Sequence, residues 1–181
     1  LSSQNMIQDL IGREANHVLD PSFLANYEPI TPPPSTRPPY IFAYCFRKTE
    51  LSELALRLLQ QKLNLPVVSV KVPFKGAKVV NPGPLQWLSL MRHANFVCTD
   101  SFHGTCFSLI NKKQFVTLEF KGGMTRLEDI HQTAQIPERL ISNKEQLRRV
   151  LQVPVDYKVV SLAIDKARES SIMFLRNAIQ Q

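Results

Sequence analysis

The sequence predicts an α/β protein: a Rossmann-like parallel sheet flanked by helices, spanning about Tyr40 to Val153. Two observations carry this. From Tyr40 onward, short apolar runs alternate with longer stretches of helical periodicity, the rhythm of strands joined by crossover helices. The first strand-like run, "YIFAYCF" (Tyr40–Phe46), is apolar at every position rather than at every second one. Such a strand is covered on both faces.

Ahead of the sheet, Gln4–Gly12 reads as a short helix and Asn16–Leu19 as a short strand, and "DPS" at Asp20–Ser22 breaks the chain. "EPITPPPSTRPP" (Glu28–Pro39) then holds six of the thirteen prolines. Proline offers no N–H to a ladder, so this segment is expected to be extended and linker-like. After the Tyr40–Phe46 strand, "ELSELALRLLQQKL" (Glu50–Leu63) places Leu51, Leu54, Leu58 and Leu59 on one helical face. Pro66–Val72 is the second strand. Gly83–Ala94 is a helix with Pro84 at its first position, where the missing N–H costs nothing. "NFVCT" (95–99) is the third strand, "GTCFSLI" (104–110) a short helix, and Gln114–Phe120 the fourth strand. "MTRLEDIHQTA" is helical. "SNKEQLRRVL" starts with a capping box, Ser142 with Glu145 three residues on. The last stretch, from Tyr157, reads as one long amphipathic helix whose apolar residues exceed what a small sheet can cover. The chain thus divides into 1–39, the remnant of a preceding domain with a proline-rich linker; 40–153, the α/β domain; and 154–181, the long C-terminal helix. It begins with Leu1 on a segment that reads as the end of something, which suggests a fragment. "KGAKVVNPGP" looks short for a link between the second strand and the Gly83 helix, as though residues were missing there.

The chain has 181 residues, a net charge of +7 and a pI of about 9.5. Its composition reads as soluble and globular, and no run of eighteen apolar residues indicates a membrane span. Excess positive charge suits nucleic acid, an anionic membrane surface or anionic small substrates. The Lys and Arg residues are scattered and no RNA-binding motif with interleaved aromatics occurs, which favours a phosphorylated small molecule over nucleic acid. Cys45, Cys98 and Cys106 lack CxxC spacing and sit in apolar runs, as buried reduced thiols of a cytoplasmic protein do. His17, His93 and His131 show no metal-ligand spacing, and neither a dinucleotide fingerprint nor a Walker loop is present.

One stretch stands out as a site. "NFVCTDSFHGTCFSLI" (Asn95–Ile110) runs from a strand through Thr-Asp-Ser-Phe-His-Gly into a helix. Ligands of open α/β sheets bind at the carboxyl ends of strands. A helix starting there offers free N–H groups and a positive dipole end to an anion. Gly104 permits close backbone approach, Ser101 adds a hydroxyl, and His103 can give or take a proton near neutral pH. Asp100 and Ser101 serve equally well as plain helix caps. Further cations follow neighbouring strands: Arg47 and Lys48, Lys75 and Lys78, and Lys121 and Arg126 around Gly122–Gly123. Arg126, near a helix start, could grip a phosphate or carboxylate with both guanidinium edges. Glu119 could orient a base.

"GPLQWLSLMRHANFVCTDSFHGTCFSLINKKQFV" (Gly83–Val116) resembles the signature segment of the polysaccharide pyruvyl transferase family. Looser likenesses lie in "HVLDPSFLA" (His17–Ala25), "RLEDIHQTAQIPERLI" (Arg126–Ile141) and "ARESSIMFLRNAI" (Ala167–Ile179). The resemblance implies the C-terminal half of a GT-B-like two-domain fold. It also implies transfer of the pyruvyl group of phosphoenolpyruvate to a sugar hydroxyl of a polysaccharide or its lipid-linked precursor, forming a ketal. His103 matches the family's motif histidine and becomes the catalytic residue. The substrate-binding set that follows is Arg47, Asp100, Ser101, Phe102, Gly104, Thr105 and Arg126, with no metal and no cofactor beyond the donor. Some members carry Arg where Ser101 stands, which shifts the donor phosphate to Arg47 or Arg126. The implied partners are an anionic donor and a sugar acceptor, not nucleic acid. The implied place is the cytoplasm, at the inner face of the membrane where the acceptor is lipid-linked. The acceptor's base would lie on the other domain, leaving this chain inactive alone. A GT-B glycosyltransferase, a nucleotide-sugar epimerase and a non-catalytic sugar-binding domain are the alternatives.

Overall fold

Six short strands form one sheet, and every pair in it is parallel. The computed structural model describes residues 2–34, 39–120 and 124–180. Strands β1 (Ile41–Tyr44), β2 (Val67–Val70), β3 (Ala77–Val80), β4 (Phe96–Thr99), β5 (Gln114–Leu118) and β6 (Leu140–Ile141) lie in the order β3-β2-β1-β4-β5-β6. That is the doubly wound order, in which the chain reverses direction across the sheet between β1 and β4. Helices α1 (Ser2–Ile11), α2 (Glu50–Leu63), α3 (Pro84–His93), α4 (Phe102–Ile110), α5 (Met124–Thr133), α6 (Lys144–Val150) and α7 (Tyr157–Ile179) complete the fold. The Rossmann-like α/β expectation holds.

Alternate residues of each strand build two cores. Tyr40, Phe42, Val68, Val70, Val97 and Phe115 face one side and pack with buried residues of α3, α4, α5 and α7. Ile41, Ala43, Val67, Phe96, Cys98 and Val116 face the other, where α2 and α6 cover them. Phe42 and Phe115 have no exposed surface, and burying each such side chain stabilises the fold by roughly 1.5–3 kcal/mol. Leu59 is the buried centre of the α2 face with Ala55 and Leu56, while Leu51, Leu54 and Leu58 pack at its rim. The three cysteines are free and buried.

Four details differ from the sequence expectation. Two strands were not expected. β3 is an edge strand with Lys78 and Val79 exposed, so it lacks the apolar signature, and β6 is only two residues long. The short link is itself occupied by β3. Lys71 and Gly76, with φ of 63° and 76°, turn the chain from β2 directly into β3. The expected strand at Asn16–Leu19 is irregular chain, since Leu19 N–H donates to the side chain of Ser171 rather than to a ladder. The expected Ser142 cap belongs to Asn143, whose side-chain Oδ1 accepts from the N–H of Glu145 and Gln146, both at 3.0 Å. Ser142 instead donates to Gln146 Oε1. The proline-rich segment opens with a 3₁₀ turn, Glu28–Ile30, and its Pro33 carbonyl accepts from Ser89. Its residues 35–38 lie outside the described residues. Among the described residues no helix is long and apolar enough to cross a membrane.

Candidate functional site

The reversal of strand order opens the carboxyl edge between β1 and β4, and the Asp100–Gly104 turn lies there. β1 is expected to run on to Phe46 but stops at Tyr44, because Asp100 claims the next amides. Its Oδ1 accepts from Phe46 N–H at 2.8 Å and its Oδ2 from Arg47 N–H at 3.1 Å. Asp100 is 5% exposed, and its carboxylate clamps the two loops across the reversal. Ser101 is the N-cap of α4, accepting from Gly104 N–H at 3.3 Å. Thr105 is fully buried, donates to Ser101 O and pairs with Thr117 Oγ1 at 2.9 Å, which ties α4 to β5 and faces away from the edge. Gly104 is buried against Thr99.

His103 and Phe102 are the members of the turn that reach the surface. His103 is exposed, and its Nε2 lies 3.7 Å from Asp20 Oδ2. Arg126, from the first turn of α5, approaches the same oxygen at 3.4 Å. Its guanidinium lies 3.9 Å from the centre of the Phe102 ring, a cation–π contact that fixes its direction. Arg47 stands apart from this cluster, over the Phe120 ring at 4.0 Å.

Asp20 went unrecognised as a site residue in the sequence. It caps the Pro21–Leu24 turn, with Oδ1 accepting from Ser22 N–H at 3.0 Å. Phe23 of that turn is part of the core, and the turn packs on α4 and α7. Burial acts to raise the Asp20 carboxyl, but the bonds from Ser22 and the charges of His103 and Arg126 outweigh it and hold it below its usual range. In the sequence "DPS" signalled a break and, within "HVLDPSFLA", a loose family likeness, but no site residue. Nothing local couples it to a histidine in another turn.

The cluster stands between two hollows. A cleft of about 560 Å³ is lined by Tyr27, Tyr44, Phe46, Trp87 and Phe107, with His103 on its wall. Its rings meet edge to face, Tyr44 with Trp87 at 5.0 Å and Trp87 with Phe107 at 5.2 Å. A smaller hollow of about 360 Å³ is lined by Asp20, Phe102, Arg126, Asp129 and His17. Asp20 and Asp129 are the carboxylates beside Arg126 and His103, so what the site offers an anion is the Arg126 guanidinium and the first N–H groups of α4, which lack acceptors within the helix. Lys48 pairs with Glu53 at 3.2 Å. Lys75 lines a groove beside α2 and Lys78 lies on the edge strand, neither at this cluster. Glu119 is exposed, its N–H donating to Ile141 O. Lys121, Gly122 and Gly123 lie outside the described residues. His131 is buried and His93 bonds Ser89 O. Among the described residues no three His, Cys, Asp or Glu side chains are grouped to hold a metal.

A comparison with curated proteins finds no match. The family model described as polysaccharide pyruvyl transferase matches residues 1–121, well over half of the chain. The match takes in Asp20, strands β1 to β5 and the His103 turn, and stops short of Arg126 and the last helices. On that match the chain belongs to the polysaccharide pyruvyl transferase family.

Proposed function

We propose that this chain serves transfer of the pyruvyl group of phosphoenolpyruvate to a sugar hydroxyl of a polysaccharide or its lipid-linked precursor, forming a pyruvate ketal. Beyond family membership, one observation carries this: the His103–Asp20–Arg126 cluster at the strand-order reversal. Phosphoenolpyruvate brings a phosphate and a carboxylate, and Arg126 with the start of α4 supplies positive partners for them. Ser101 is occupied as a cap, so the donor phosphate falls to Arg126, with Arg47 as the second cation on the same edge.

Protonated His103 gives its proton to the methylene carbon. The π electrons of the double bond form the new C–H bond, and positive character develops at the neighbouring carbon. A sugar hydroxyl adds there and loses its proton to a base, which in a GT-B-like arrangement sits on the facing domain. A second hydroxyl then displaces phosphate, which takes that hydroxyl's proton. One donor and two hydroxyls give one ketal and one phosphate. A lipid-linked acceptor would bring the protein to the inner face of the membrane without a spanning helix.

The aromatic cleft favours a second reading, a nucleotide-sugar enzyme, because ring-lined clefts also hold nucleobases. Thermal-shift measurements with phosphoenolpyruvate, UDP and GDP separate the two. Stabilisation by phosphoenolpyruvate alone supports pyruvyl transfer; stabilisation by a nucleotide alone supports the alternative. No donor binding, with tolerance of substitution at His103 and Arg126, would mark a non-catalytic domain. In the full-length protein His103→Ala is expected to lower turnover about 10²-fold or more at saturating donor. Turnover equal to wild type would remove His103 from the reaction.

A further inference from the structure

We infer that Asp20 is a positioning residue of this site: its second carboxylate oxygen, shared with Arg126, faces Nε2 of His103 and orients the Nε2–H toward itself, so that the proton given to the donor leaves from Nδ1. The proton's destination rests on the pyruvyl-transfer reading, whereas the Asp20–His103 coupling stands on geometry. Oδ1 of Asp20 is occupied by Ser22 N–H at 3.0 Å, and Oδ2 faces both the Arg126 guanidinium at 3.4 Å and His103 Nε2 at 3.7 Å, an ion-pair separation. The Asp20 side chain is 15% exposed against 56% for His103, so a seated carboxylate addresses an exposed ring. Its backbone is anchored on both sides. Pro21 follows it, Phe23 is in the core, and Leu19 N–H donates to Ser171 Oγ at 2.9 Å.

The groups around the imidazole leave Asp20 in this role. Tyr27, Tyr44, Cys45 and Lys71 share the aromatic cleft with His103, and none of them is an anion near neutral pH. Asp100 is bound to the Phe46 and Arg47 amides. Asp129 lines the smaller hollow with Asp20 and Arg126. Arg126 shares Oδ2 of Asp20 at 3.4 Å. A donor phosphate that draws Arg126 to itself leaves that oxygen to the imidazole alone. In the transfer step the Nδ1–H bond breaks with its electron pair remaining on nitrogen. The π pair of the donor forms the C–H bond, and the ring stays on Asp20 as the Nε2–H tautomer.

Asp20→Asn tests this. Asn is an equally good cap, and its carbonyl oxygen can keep the Ser22 N–H. Its NH₂ group then faces Nε2, which must accept a hydrogen bond, so the neutral ring is driven to the Nδ1–H form. Long-range ¹H–¹⁵N spectra of the chain at alkaline pH, with no donor present, are expected to show Nε2–H in wild type and Nδ1–H in the variant. In the full-length protein kcat is expected to fall about 10²-fold or more, with the donor KM within about threefold, a split that a loosened fold would not give. Asp20→Ser keeps a cap without an amide and should abolish the tautomer preference, should the Asn variant fold poorly. An unchanged tautomer with unchanged kcat overturns the role of Asp20 and leaves pyruvyl transfer standing. An inverted tautomer in a protein whose wild type shows no transfer sustains the coupling and sinks the assigned reaction.

Discussion

Gly104 shows how one residue type can hide its task. In the sequence it reads as a place for a ligand to approach the backbone. In the fold it seats α4 on β4: a Cβ built there would lie 2.2 Å from Thr99 Oγ1 and 3.0 Å from Thr99 Cβ. Thr99 has no room to yield, since its hydroxyl donates to Tyr44 O at 2.6 Å and accepts from Ser101 N–H at 3.0 Å. Gly104→Ala must therefore lift α4, and with it His103. Overpacking of this kind costs about 1–3 kcal/mol, which denaturant unfolding should show as a lower midpoint at unchanged slope. A midpoint equal to wild type would mean that α4 is not held by this contact. The turn itself was legible in the sequence, and the structure places His103 at its surface. The division of labour within it was not. Asp, Ser and Gly at a helix start suit capping and ligand binding alike, and only the amides of Phe46 and Arg47 reveal that Asp100 is engaged elsewhere.

At the scale of elements, legibility followed burial. β1, β2, β4 and β5 are apolar enough to be read from their runs, whereas β3, an edge with Lys78 exposed, and the two-residue β6 carry no such signal. α5 is an intermediate case. It was expected as a helix, but its buried face includes His131, which is 1% exposed. The ring sits 6.2 Å from Phe115, with Nδ1 2.7 Å from Leu127 O. Burial pulls it down to about 4 from its ordinary 6.5, against the smaller opposing effect of the Leu127 bond. Between those values the unfolded chain binds a proton that the folded chain refuses. Stability is therefore fully present above pH 6.5 and declines as the pH falls to about 4, by about 3 kcal/mol in all. Urea unfolding across that range should show the decline, and His131→Leu should flatten it. An equal slope in both proteins would place the acid sensitivity in other groups.

At the scale of the whole molecule, the site depends on both flanks of the sheet. Asp20 comes from the segment before the sheet, and that segment is held by α7, whose Ser171 is buried and accepts Leu19 N–H. The sequence showed α7 as a helix with more apolar residues than one small sheet could cover. Val160 joins the core, while Leu162, Met173 and Ile179 stay exposed. The tie between Leu19 and Ser171 spans 152 positions, and no pattern within either segment announces it. It has a consequence at the site, because Leu19 and Asp20 are adjacent. Ser171→Ala leaves a buried N–H without an acceptor, at a cost of about 1–3 kcal/mol, and frees the backbone that carries Asp20. The Leu19 amide is expected to exchange its hydrogen faster by about 5- to 150-fold, since 1.4 kcal/mol corresponds to a factor of ten. Turnover should fall with it, although Ser171 lies far from His103 along the chain. Ser161→Ala, on the same helix but without this bond, should change neither. If the Leu19 amide lost protection while turnover stayed at the wild-type level, Asp20 would be held by its cap and Pro21 alone, and the long-range tie would serve stability only.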